Sequence, residues 1–176
     1  NGDGEADHYQ TLSDNFGMTG NYHEFSFGPT RDKEGNYYVG LNLASSGASI
    51  RPEIRGEFRH YGISREQFYK NHKAGSGRMY SATPYRGWIM KITPEGKTIP
   101  FAPGFRSPNG VNFDSQGRLW VTDNQGDWLG TSKLFHVKEG NFYGHPASLV
   151  WTKEWKKGRN PLKVPPAEFD AQRTRA

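Results

Sequence analysis

The run Val111-Asn112-Phe113-Asp114-Ser115-Gln116-Gly117-Arg118-Leu119-Trp120-Val121-Thr122-Asp123 decides how the chain is read. Apolar and polar residues alternate on both sides of a short polar segment, the period of a half-buried strand. Gly117 sits late in that segment, where a tight turn needs a positive φ at low steric cost. The pattern predicts a hairpin of Gly110–Phe113 with Leu119–Asp123. Three further stretches have the same shape, around Gly35, Gly96 and Gly140. They predict strand pairs His23–Gly28 with Tyr37–Asn42, Gly87–Ile92 with Thr98–Phe101, and Lys133–Val137 with Phe142–Tyr143. Gly96 and Gly140 lie 44 residues apart, and Gly35 and Gly117 about 40 apart once the segment 44–86 is set aside. Two hairpins per repeat with a period in the low forties is the signature of a β-propeller blade. A β-sandwich of irregular hairpins is the alternative.

Composition agrees with an all-β chain. Of 176 residues, 22 are Gly and 11 are Pro, too many breakers for a helical bundle. Five Trp, nine Tyr and eleven Phe supply the apolar surface that disordered chains lack. No apolar run reaches the roughly 18 residues of a membrane helix. The absence of Cys excludes disulfides, zinc–thiolate sites and a Cys nucleophile within this sequence. A net charge of +5, with one small basic cluster at Lys153, Lys156, Lys157 and Arg159, does not point to nucleic acid.

The expected organisation is an acidic lead-in over 1–21, a blade over 22–103 carrying the insertion 44–86, a second blade over 104–150, and a linker over 151–176 into a missing blade. Within the insertion, Ser64 and Gln67 read as the start of a short helix. Two blades cannot close a ring, so the chain reads as an internal piece of a longer protein.

Three motifs carry a resemblance. They are Arg106-Ser107-Pro108-Asn109-Gly110, then Asp123-Asn124-Gln125-Gly126-Asp127, then Lys138-Glu139-Gly140-Asn141-Phe142-Tyr143-Gly144-His145-Pro146. The chain resembles the soluble quinoprotein glucose/sorbosone dehydrogenases, six-bladed propellers that bind pyrroloquinoline quinone (PQQ) and Ca²⁺. It resembles still more the propellers of large exported planctomycete and verrucomicrobial proteins that also carry a cytochrome c-type haem domain. The resemblance implies about two blades of a six-bladed ring, a sugar or polyol substrate, that haem domain as partner, and a periplasmic or secreted setting.

It also implies roles residue by residue. His23 aligns with the general base that takes the hydroxyl proton, and a His of near-neutral pKa suits that task. Arg106 aligns with an Arg that grips cofactor oxygens, for which a guanidinium fork is well shaped. Ser107 stands where the dehydrogenases have Asn, which removes or replaces one cofactor contact, and Asn109 completes the cofactor-binding set. Asp123, Asn124 and Asp127 correspond to the metal loop, and Asp3 and Asp7 to an acidic calcium loop cut short at its start.

Each residue also has a plainer reading. His23 fits channel lining, Arg106 fits neutralising a nearby carboxylate, Asp123 and Asp127 fit bonding to backbone amides, and Asp3 and Asp7 fit an acidic turn. Histidines 60 and 72 read as surface residues. Two other functions stay open. In a Ca²⁺-dependent lactonase-like propeller, Asn109 and Asp123 would hold the ion. In a non-catalytic platform for carbohydrate or protein, Trp128, Trp151 and Trp155 would stack on sugars or pack on a neighbouring blade.

Overall fold

The computed structural model describes residues 2–45, 54–59, 79–126 and 128–155. Among the described residues nine strands run in chain order: β1 (Ser26–Arg31), β2 (Tyr37–Leu41), β3 (Ala44–Ser45), β4 (Met79–Tyr80), β5 (Trp88–Ile92), β6 (Thr98–Pro103), β7 (Pro108–Phe113), β8 (Leu119–Asp123) and β9 (Lys133–Val137). One 3₁₀ helix, Pro146–Trp151, follows. The chain is all-β, and every strand pair is antiparallel.

The first sheet has the order β1-β2-β5-β6 and the second β7-β8-β9. A two-stranded ladder, β3-β4, stands where the chain leaves the first sheet after β2 and returns to it before β5. All four predicted turn glycines have positive φ: Gly35 at 90°, Gly96 at 85°, Gly117 at 78° and Gly140 at 76°. Three of the turns close alike, with N–H donated from Asp32 to Asn36 C=O, from Thr93 to Lys97 C=O and from Asp114 to Arg118 C=O.

Two strand assignments shift. The first strand begins at Ser26, not His23, and a bulge between Phe27 and Thr30 carries it on to Arg31. Pro29 lies inside that bulge, where its missing N–H does not break a regular ladder. Phe142–Tyr143 do not pair with β9. After Gly140 the chain crosses to the free side of β6 instead, where Gly140, Tyr143 and His145 donate to the carbonyls of Phe101, Pro103 and Gly104. That segment covers an edge the first sheet would otherwise leave open.

The two sheets pack face to face. Tyr38, Ile89 and Ala102 of the first meet Leu119, Val121, Phe135 and Val137 of the second, with Phe105 and Tyr143 between them. Phe105 stacks on Tyr143 at 5.0 Å, and Tyr38 meets Phe101 and Phe113 edge-on at 5.1 Å each. The opposite face of the first sheet, Val39, Leu41, Trp88, Met90 and Ile92, is covered by Val150 and Trp151 of the 3₁₀ helix and by Phe16. The Trp88 indole donates to Ser148 C=O at 2.9 Å, and the Trp151 indole to Ser81 Oγ at 2.8 Å. Trp151 is therefore a packing residue, and Trp155 lies against the same cluster.

Candidate functional site

The site is organised by the chain between β2 and β3. Leu43 N–H donates to Arg106 C=O at 2.9 Å, which ties this segment to the loop ahead of β7. Two residues on, Ser45 Oγ lies 2.5 Å from His23 Nδ1. Residues remote in sequence thus meet around one buried stretch of backbone.

His23 sits in the turn before β1, half-buried, with its ring 3.9 Å from that of Tyr22. Asn21 holds the turn in place. Its Oδ1 accepts the N–H groups of His23 (3.1 Å) and Ser45 (3.3 Å), and its Nδ2 donates to Ser45 C=O (2.9 Å). Burial lowers the His23 pKa below its ordinary 6.5, and the positive charge of Arg106 lowers it further. Arg106 is therefore near enough for its charge to act on the imidazole. Both influences favour the neutral imidazole, the form that can accept a proton.

Arg106 is shaped by Asp123 and Gly126. The Asp123 carboxylate accepts the N–H groups of Arg106 (3.0 Å), Ser107 (2.7 Å) and Asn124 (3.1 Å). Burial pushes the Asp123 pKa up, opposed by these amides and by the nearby His145. Gly126 leaves no room for a Cβ, because the Arg106 side chain lies directly against it. The guanidinium makes one long bond, from Nη1 to Ser107 Oγ at 3.4 Å, and its buried Nε has no hydrogen-bond partner. Among the described residues it forms no ion pair. A cation held with a buried donor unspent is a place for an anionic oxygen.

The remaining expected residues lie elsewhere. Asn109 is exposed on β7, and its Oδ1 accepts from Thr122 Oγ1 at 2.9 Å. Asn124 is exposed, with Oδ1 3.4 Å from Ser132 Oγ. Asp3 and Asp7 are in the exposed lead-in, where Asp3 accepts the Glu5 N–H at 2.9 Å. Asp127, residues 60 and 72, and the helix expected from Ser64 lie outside the described residues. Among the described residues, no three His, Asp or Glu side chains gather as a metal site would require.

Sequence reasoning did not single out Ser45, Asn21, Glu24 or Arg86. Arg86 is buried, donating from Nε to Gly17 C=O (2.8 Å) and from Nη1 to the carbonyls of Glu24 (2.9 Å) and Phe25 (3.2 Å). Nothing in the linear sequence marks such a residue, because its partners lie more than 60 positions away.

Comparison of the chain with protein-family models, with curated proteins and with solved structures finds no match. No helix among the described residues is long and apolar enough to cross a membrane.

Proposed function

We propose that the chain is part of a quinoprotein-type sugar or polyol dehydrogenase, and that its two sheets are neighbouring blades of a β-propeller. The observation that carries this reading is the approach of His23 and Arg106, the residues the resemblance assigns to proton abstraction and to the cofactor. They lie in the segments that lead into β1 and β7, strands of different sheets, and the Arg106 charge acts on the His23 ring. The blade assignment rests on the repeated turns and on the face-to-face packing of the sheets.

The residues present suit an anionic, planar cofactor. The unspent Nε of Arg106 and its freedom from an acidic partner fit carboxylate or quinone oxygens of PQQ. Bound there, PQQ would supply the hydride-accepting chemistry. The chain's own part is binding and proton handling. His23 Nδ1 and Ser45 Oγ share a hydrogen bond; in the tautomer that carries its proton on Nδ1, Nε2 would be the acceptor for a substrate hydroxyl proton. Burial and the Arg106 charge keep the ring neutral for that task. Ser107 offers its hydroxyl where the dehydrogenases have an amide.

Calcium fits less well. The Asp123 oxygens accept three backbone N–H groups, and the side-chain amide oxygens at this loop are those of the exposed Asn124 and Gln125. No step is assigned to the ion. The lactonase alternative asks Asn109 and Asp123 to share a metal, and both carry other hydrogen bonds. An exported setting and a haem domain as electron acceptor belong to the same proposal.

Absorbance titration with PQQ, on the longer protein that the chain is proposed to belong to, is the test. Saturable binding that Arg106→Ala weakens at least tenfold supports the reading. So does aldose-dependent reduction of the bound quinone that His23→Ala abolishes without loss of PQQ. Absence of PQQ binding by that folded longer protein refutes it.

A further inference from the structure

A groove of about 550 Å³ opens beside the His23 turn without including His23 or Arg106. Its volume is that of a small-molecule site. Glu24 and Arg86 line it, with Phe16 and Met18, and Asp14 and Arg55 lie on the same lining. Arg55 pairs with Asp14 at 2.5 Å, so the outer charges cancel. Deeper in, the Arg86 charge acts on the Glu24 carboxylate and offsets it.

The deeper pair is incompletely bonded. Glu24 Oε2 accepts the Thr19 N–H at 2.6 Å, while Oε1 is buried with no hydrogen-bond partner. The three bonds of Arg86 use Nε and Nη1, so Nη2 carries the donors that remain. A buried acceptor without a donor costs about 1–3 kcal/mol. A hydroxyl group can give to a carboxylate oxygen and accept from a guanidinium at once. An ion of either sign would meet one member of each pair unfavourably. Phe16 and the 43% exposed Met18 add an apolar strip suited to the C–H face of a ring.

We propose that this groove binds a small neutral polyhydroxylated ring, with hydroxyls bridging Glu24 and Arg86 and the ring face against Phe16 and Met18. The site stands whether or not the quinone reading holds. Burial raises the Glu24 pKa, opposed by Arg86 and by Thr19 and Gly20. This accords with a carboxyl group that gains from an added donor.

The test is calorimetric titration of the full chain, without quinone, using D-glucose and myo-inositol as probes. D-glucosamine and D-glucuronate serve as charged counterparts. Saturable binding of a neutral ring is expected, with neither charged counterpart tighter. Glu24→Gln should weaken it about tenfold. Because Glu24 is largely buried, Ser26→Phe provides a second variant. Ser26 is exposed on the groove lining, and a bulky ring there should block binding while the thermal unfolding midpoint stays unchanged. His23→Ala should leave binding intact. The proposal is overturned if the folded chain shows no saturable binding, or if a charged counterpart binds tenfold tighter. It is also overturned if both groove variants bind as well as the parent, or if His23→Ala abolishes binding.

Discussion

The two central strands of the first sheet are buried on both faces, whereas the strands of the second sheet are buried on one, and their sequences are written accordingly. β2 and β5 bury nearly every residue, and their sequences, Tyr37-Tyr38-Val39-Gly40-Leu41 and Trp88-Ile89-Met90-Lys91-Ile92, are almost continuously apolar. β8 alternates, with Leu119, Val121 and Asp123 buried, Trp120 half-buried and Thr122 exposed. In β9, Phe135 and Val137 are buried and Leu134 is exposed. Antiparallel sheets with one wet face show this alternation, and sheets covered on both faces lose it. The outer face of the second sheet is not bare, because the Trp120 and His136 rings lie 5.2 Å apart and the Arg118 guanidinium sits over Trp120.

The contrast can be broken most forcefully in the first sheet. Leu41→Ala, at a fully buried site, should destabilise the chain by about 2–5 kcal/mol in urea unfolding. A loss below about 1 kcal/mol would mean that the 3₁₀ helix does not seal that face. Next comes the junction of the two sheets. Asp123→Ala strips three amides of their acceptor and should cost roughly 2–4 kcal/mol. The same variant should loosen Arg106, seen as a His23 pKa nearer its ordinary value by NMR titration.

A smaller effect concerns pH. The folded-state pKa of His23 lies below its unfolded value of about 6.5. Between the two, the unfolded chain binds the extra proton, so stability rises with pH. This contribution is complete above about 6.5 and is lost as pH falls toward the folded-state pKa. Arg106→Ala should narrow that window, and an unchanged His23 titration would separate the two residues. The smallest effect belongs to the outer face of the second sheet. Leu134→Ala, at a residue 57% exposed, should shift stability by no more than about 0.5 kcal/mol. A cost like that of Leu41 would show the face to be covered in solution.

The turns were the most legible part of the fold, because a positive φ at a late glycine leaves a local signature. The strand pairs at Gly96 and Gly117 followed from it. Two features were not legible. The bulge at Pro29 displaced β1, since hairpin alternation cannot register an extra residue. The departure of Phe142 and Tyr143 toward β6 depends on an open edge some 40 residues away in sequence. At the site, His23 and Arg106 entered through a resemblance. Ser45 and Asn21, which hold the His23 turn, carry no motif. Asp123 stood among the metal candidates, yet its three amide bonds exist only once the loop around Arg106 has folded.

The β3-β4 ladder has an evolutionary consequence. Ala44 pairs with Tyr80 and Ser45 with Met79, so the excursion between β2 and β5 is pinched shut at its base. Once a base is fixed, the entropy of closing a loop grows only with the logarithm of its length, about 0.6 kcal/mol for each doubling. The pairing of β2 with β5 is thus set apart from the length of the excursion, while residues 54–59 return to the body through the Met18–Arg55 bridge and the Arg59 bond to Val150 C=O. Relatives could exchange, lengthen or shed that excursion without re-solving the packing of β2 against β5. Variation in length along this chain should therefore concentrate between positions 46 and 78, beside the residue that fixes the orientation of His23.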